Sequence, residues 1–189
     1  MGPHGGGGKI GPFVAVGLGD PQTRNFEIYP IYTDAPMRYD AGNPPENPMS
    51  CQLLQTLLHE SLCLSLKTQS FHWNVEGPNF GPLHALFGEQ YEALQDAIDL
   101  IAERIRALDE FPHPHNSNEG TEAVDPIPPK PPKYTKMIEI LGVDNEKLAY
   151  FCAKASAMCA EEDPATSNLL ADRQAAHSKA AWMLRSHLK

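Results

Sequence analysis

The sequence contains no apolar run approaching the 18 or so residues that a membrane-spanning helix needs, so no membrane association is expected. It is also short of positive charge. Fifteen lysines and arginines stand against 24 aspartates and glutamates, a net charge of −9. That balance argues against a surface built broadly for nucleic acid, and it suits solubility or the attraction of cations into a cavity. The four cysteines, Cys51, Cys63, Cys152 and Cys159, form no CxxC pattern. Each falls in an expected helix, where a buried free thiol is the plainer reading, and a reducing cytoplasm fits best. The opening MGPHGGGGKIGPFVAVG lacks the charged and long apolar regions of a secretory signal. No internal repeat is apparent.

What is present is a globular composition, 41% hydrophobic and 21% charged over 189 residues, enough for one domain with a real core. Residues 1–48 are rich in glycine and proline and read as an extended arm, with a short strand near Phe26–Tyr32. Residues 49–189 read as helical. In 49–72, Leu54, Leu58, Leu62 and Leu66 recur every fourth position, flanked by Leu53 and Leu57. The turn NVEGPNFGP ends that helix, and a second begins near Pro82. Its stripe is Leu83, Phe87, Tyr91, Leu94, Ile98, Ile101, Ile105 and Leu108. A proline-rich connection over 109–133 is long enough to cross a bundle. A short helix at about 134–141 is expected next, ended by Gly142. Asp144 then caps a third long helix running to about 161, and Asp163-Pro164 starts a fourth running to about 188. Four long helices with one long middle connection predict an all-α, ferritin-like four-helix bundle.

The second helix carries a further stripe, His84, Gly88, Glu92, Asp99 and Glu103, spread over roughly a third of the helix circumference. Asp99 and Glu103 are four residues apart and can share a cation. Imidazoles with carboxylates suit iron, manganese or zinc, and the oxygen-rich mix favours iron. Yet His84 and Asp99 are fifteen residues apart, about 22 Å along a helix. One helix cannot bring them to one metal, whereas two copies packed antiparallel about a two-fold axis can, with His72 joining His84 across the turn. Without such a partner, the carboxylates read as a solvated face and the histidines as polar residues at helix ends.

The segment KTQSFHWNVEGPNFGPLHALFGEQYEALQDAIDLIAERIRAL, Lys67–Leu108, resembles the signature of the Dps mini-ferritins, the DNA-binding proteins from starved cells. So does the C-terminal part, above all LLADRQAAH and AWMLRS. The likeness spans roughly 50–110 and 134–189, leaving the arm and most of the proline-rich connection outside it. It implies a dodecameric shell of ferritin-like bundles that oxidises Fe(II), commonly with hydrogen peroxide, and stores ferric mineral. Iron is the metal implied, and no haem is expected. By motif position, His72 and His84 come from one subunit and Asp99 and Glu103 from its two-fold partner. Trp73 matches a tryptophan near that centre, with core packing as the alternative. The departure is at Gly88: the family places an aspartate four residues after the second histidine, and this chain reads LFGEQ. One iron position is therefore expected to be weak, with Glu89 pointing about 100° away and Glu92 a full turn on.

Other signals are fainter. Acidic pore candidates are Glu161, Glu162, Asp163 and Asp172, of which Asp163 reads more simply as a helix cap and Asp172 is the better pore residue. His113 and His115 in HPH lack a third ligand. His4, His59, His177 and His187 have no matched partner and read as surface or packing residues. DNA binding is not expected: up to Ser50 the chain carries three basic residues against five acidic ones, and no basic tail follows the last helix. The glycines of the arm suit a disordered tail, but Phe13, Val14, Val16, Phe26, Ile28, Tyr29, Ile31 and Tyr32 are too apolar for a fully solvated linker and point to docking, on a neighbouring subunit or along the shell.

Overall fold

The computed structural model describes residues 13–18, 25–30, 48–113 and 124–189. The chain divides into two compact units, Met1–Pro44 and Pro45–Lys189. The first holds a two-stranded antiparallel sheet, β1 (Phe13–Leu18) and β2 (Asn25–Pro30), registered with Phe13 opposite Pro30 and Leu18 opposite Asn25. The strand expected near Phe26 is thus present with a partner that the glycine-rich sequence did not announce. The arm's side chains, with His4 and His115, lie outside the described residues.

The second unit is a bundle of four helices: α1 (Pro48–Asn74), α2 (Phe80–Ala107), α3 (Tyr134–Cys159) and α4 (Pro164–Ser186). α1 packs on α2 and α3 on α4, while α1 meets α3 and α2 meets α4 across the bundle. Among the described residues, no helix is long and apolar enough to cross a membrane. The core joins Leu64 and Phe71 of α1, Leu83, Phe87 and Leu94 of α2, Ile138 and Leu148 of α3, and Leu184 of α4. Each such side chain, fully buried, contributes about 1.5–3 kcal/mol. Val124, at the end of the long connection, plugs into the same core, and its N–H donates to the buried Glu60 carboxylate at 2.8 Å.

Several local expectations need correction. The α1 stripe does not run straight: Leu54 and Leu58 are buried, but Leu62 is only half-buried and Leu66 is exposed. A four-residue repeat drifts around a 3.6-residue helix, so Leu64 and Phe71 take over the inner face. α2 starts at Phe80, two residues before Pro82. The short separate helix at 134–141 does not exist, because α3 runs unbroken from Tyr134 through Gly142 to Cys159. Asp144 is not a cap. It is buried within α3, where its Oδ2 accepts from Lys67 Nζ of α1 at 2.6 Å. Its neighbour Asn145 donates to the Leu141 carbonyl and meets His177 of α4. Residues that would end a solvent-exposed helix find partners inside the bundle, so the helix continues.

The start of α4 matches its sequence reading. Asp163 is the N-cap, its Oδ1 accepting from the Thr166 N–H at 3.0 Å, with Pro164 in the first turn. Arg104 of α2 donates to the same oxygen at 2.7 Å and to the Thr166 hydroxyl at 2.9 Å, tying α2 to α4. Burial alone would raise the Asp163 pKa, but hydrogen bonds from Thr166 and Ser50 and the charge of Arg104 outweigh it and hold the carboxyl below its usual range. Its carboxylate is buried, with Oδ1 taken by Thr166 and Arg104, so within the chain Asp163 serves as a cap and helix tie and not as an exposed pore carboxylate. Glu161, Glu162 and Asp172 remain exposed. All four cysteines are free. Burial pushes the Cys51 thiol up to about 11 and the Cys152 thiol up to about 12, so both stay protonated and inert as ligands at neutral pH.

Candidate metal centre

The end of α1 and the first turns of α2 are brought together by a tight connection. Val75 N–H still donates to the Phe71 carbonyl, and Phe80 N–H reaches back to Gly77 O at 3.1 Å. Gly77 has φ +109°, a conformation that side-chain-bearing residues rarely adopt, and it lies under the ring of Tyr134. This reversal sets His72, two residues from the end of α1, against His84 in the second turn of α2.

The two imidazoles stack, with ring centroids 3.8 Å apart and planes inclined by 22°. Their hydrogen bonds are reciprocal: His72 Nδ1 meets the His84 carbonyl at 2.7 Å, and His84 Nδ1 meets the His72 carbonyl at 2.9 Å. A carbonyl oxygen only accepts, so each Nδ1 carries the proton and each neutral ring has a lone pair on Nε2. Such backbone fixation of tautomer and orientation is what metal-ligating histidines typically have. Rings so nearly parallel cannot both lie in plane with one metal at a bond length of about 2.1 Å. The pair therefore favours one metal per imidazole.

The surroundings are aromatic. Phe80 stacks on His84 with centroids 5.1 Å apart, and Tyr91 meets the His72 ring edge-on at 5.4 Å. The sequence marks neither residue as part of the site. Tyr91 is visible in the sequence only as a member of the apolar stripe, and nothing local marks Phe80. Trp73 is 68% exposed, so it is not packed into the bundle core.

Gly88 is buried one turn beyond His84. A Cβ built there would lie 3.3 Å from His72 Cε1 and 3.4 Å from His72 Nδ1. A side chain at this position would thus stand beside the His72 ring, at the carbon that joins its two nitrogens. Glu89 and Glu92 are exposed. Asp99 and Glu103 lie further along α2, also exposed, and within one chain they are not brought to the histidines. Among the described residues of a single chain, no three histidine, cysteine or acidic side chains gather as a metal site. His72 and His84 come together, and the two carboxylates remain a turn apart from each other and far from both. His113 is tied by its backbone N–H to Gln55 Oε1 at 2.9 Å, an anchor for the loop after α2.

Residues 51–189 match the family model described as ferritin-like domain. A low temperature-induced protein of Nostoc sp. is 35% identical over 142 residues, covering 72% of this chain and 78% of its own. The DNA protection during starvation protein of Brevibacillus brevis is 30% identical over 143 residues, covering 73% and 96%. Among solved structures, the Dps from Staphylococcus aureus superposes with a TM-score of 0.68 at 25% identity, covering 78% of this chain and 99% of its own. The Dps protein from Bacillus brevis gives 0.67 at 27% identity, covering 75% and 95%. With its bundle, its paired histidines and these relatives, the chain belongs to the Dps family of ferritin-like proteins.

Proposed function

We propose that this protein is a ferroxidase and iron store that oxidises Fe(II) with hydrogen peroxide at sites shared between two copies of the chain. Iron storage and protection against oxidative damage are the general roles of the family. The observation that carries the finer reading is the reciprocal His72–His84 pair, whose Nδ1 protons are spent on backbone carbonyls and whose Nε2 lone pairs remain for metal. Helix length makes the same demand as before: Asp99 and Glu103 serve this pair only from a two-fold partner, within a homododecameric shell.

In this reading Fe(II) enters as substrate. Each imidazole Nε2 would hold one iron, and the partner's carboxylates would neutralise the added charge. Peroxide takes one electron from each of two Fe(II) ions and two protons, giving two waters, so no hydroxyl radical is released. Exposed Trp73, next to His72 in the chain, is positioned to intercept a stray oxidising equivalent. The ferric product hydrolyses and is stored as mineral. The low positive charge of the arm speaks against a direct role on DNA, and a gel shift at low salt tests that. A cytoplasmic setting suits the four free thiols.

The test follows ferric absorbance after Fe(II) and peroxide are mixed with the assembled protein. The double variant His72→Ala/His84→Ala serves as the control for spontaneous oxidation. Oxidation well above that control is expected; equal rates would sink the ferroxidase reading. Gly88 favours one competing reading, a shell whose iron chemistry has weakened, and equal rates with intact assembly would support it.

A further inference from the structure

We infer that the bundle encloses a hydrated polar layer midway along its length, in which at least one ordered water donates to His177 Nε2 and Asp144 Oδ1 and accepts from the Gln90 amide. Three of its helices are linked through it. Lys67 of α1 binds Asp144 of α3, and the next residue, Asn145, meets His177 of α4 at 2.9 Å. Gln90 of α2 is placed at the same level by two independent anchors. Counting six residues inward from the His72–His84 pair on each helix sets Gln90 level with Leu66, beside Lys67. Counting fourteen residues from the Arg104–Asp163 ion pair, back along α2 and forward along α4, sets Gln90 level with His177. All four helices thus put a polar side chain into one cross-section of the bundle.

The layer is incompletely satisfied. Asp144 Oδ1, His177 Nε2 and both amide atoms of Gln90 are buried with no protein partner. These are four of six such atoms among the described residues, and the layer collects them at one height. His177 is 3% exposed. Its tautomer is fixed by the neighbouring network: Asn145 spends its Nδ2 on the Leu141 carbonyl at 2.8 Å, so its Oδ1 accepts from His177 Nδ1–H. Nε2 is therefore a bare acceptor, as is Asp144 Oδ1. A buried polar atom left alone costs about 1–3 kcal/mol. Water typically makes about three hydrogen bonds when buried, and two acceptors with one amphoteric amide supply that number. A cation is the wrong occupant. The Lys67 ammonium already neutralises Asp144, and the Arg173 charge acts on His177 from its own helix.

A high-resolution crystal structure of the full-length assembled protein tests this. Expected is density without anomalous signal, within hydrogen-bond distance of His177 Nε2 and Asp144 Oδ1. A Gln90 amide turned directly onto either acceptor with no intervening density would overturn the inference, and so would a metal peak. The Gln90→Met variant adds a second reading. Loss or displacement of that density, with assembly unchanged, supports the layer, whereas a water left in the same position shows that Gln90 is not part of it.

Discussion

At the level of single side chains, the chemistry turns on which imidazole nitrogens are already committed. His72 and His84 spend their Nδ1 protons on each other's backbone, which leaves each Nε2 with the lone pair that the proposed iron site uses. Gly88 then decides what stands beside His72. Gly88→Asp should add a carboxylate there and tighten the weaker iron by about tenfold, read by anaerobic Fe(II) titration. Gly88→Ala is the matched control. Its Cβ would press on His72 at 3.3 Å without adding a donor, so it should tighten nothing. Two equally tight irons in the unaltered protein would remove the deficit that Gly88 is held to cause. His177 makes the opposite commitment, turning its bare nitrogen inward. Burial, helped by the Arg173 charge, lowers its pKa from 6.5 to about 4. Between these values the unfolded chain takes up a proton that the folded chain refuses. The contribution of His177 to stability is therefore complete above pH 6.5 and is lost as pH falls towards 4. Asp144, whose pKa burial raises, works in the reverse direction, because the folded chain takes up its proton before the unfolded chain does as pH falls. Unfolding in urea at pH 7 and pH 5 should differ by about 2 kcal/mol per subunit on account of His177, and His177→Gln should flatten the difference. His72, His84 and Gly88 were legible because they sit within one short motif. The setting of His177 was not, since its partner Asn145 is 32 residues away on another helix.

Helices α1, α2 and α4 were legible almost to their ends, because each carries recurring apolar residues and a proline in or beside its first turn. α3 was not. Gly142, Asp144 and Asn145 are the residue types that end helices in water, and sequence periodicity gives no weight to a lysine 77 positions upstream. Only the assembled bundle supplies Lys67 and His177 as partners, and with them the helix passes through. Gly142 then has no evident conformational duty: its φ is not positive, and a Cβ there would meet nothing within 4 Å. Gly142→Ala should stabilise the protein by about 0.5–1 kcal/mol through helix propensity alone. Thermal melting of the assembled variant checks it. A fall in the melting temperature would mean that this position yields at a bend or against a neighbouring subunit.

For the whole molecule, one geometric fact sets the proposal. His84 and Asp99 share a straight helix and are separated by about 22 Å along it, so a site using both must draw them from different copies. That much followed from the sequence, because helix rise is a constant. The partner's placement did not, since it depends on how two bundle surfaces fit. Mixing experiments separate an inter-subunit site from any arrangement within one chain. Chains carrying His72→Ala/His84→Ala and chains carrying Asp99→Asn/Glu103→Gln should each form inactive assemblies. In a two-fold dimer of one chain of each type, one site pairs intact histidines with intact carboxylates, and the other has neither. Random assembly at equal amounts gives about half mixed dimers, each with one working site of two, and so about a quarter of the unaltered activity. Initial ferric absorbance after co-refolding, compared with the same proteins mixed after separate assembly, reads this directly. Recovery only on co-refolding supports the shared site. If co-refolded shells remain as inactive as either parent while assembling normally, the histidines and carboxylates do not meet across the two-fold axis.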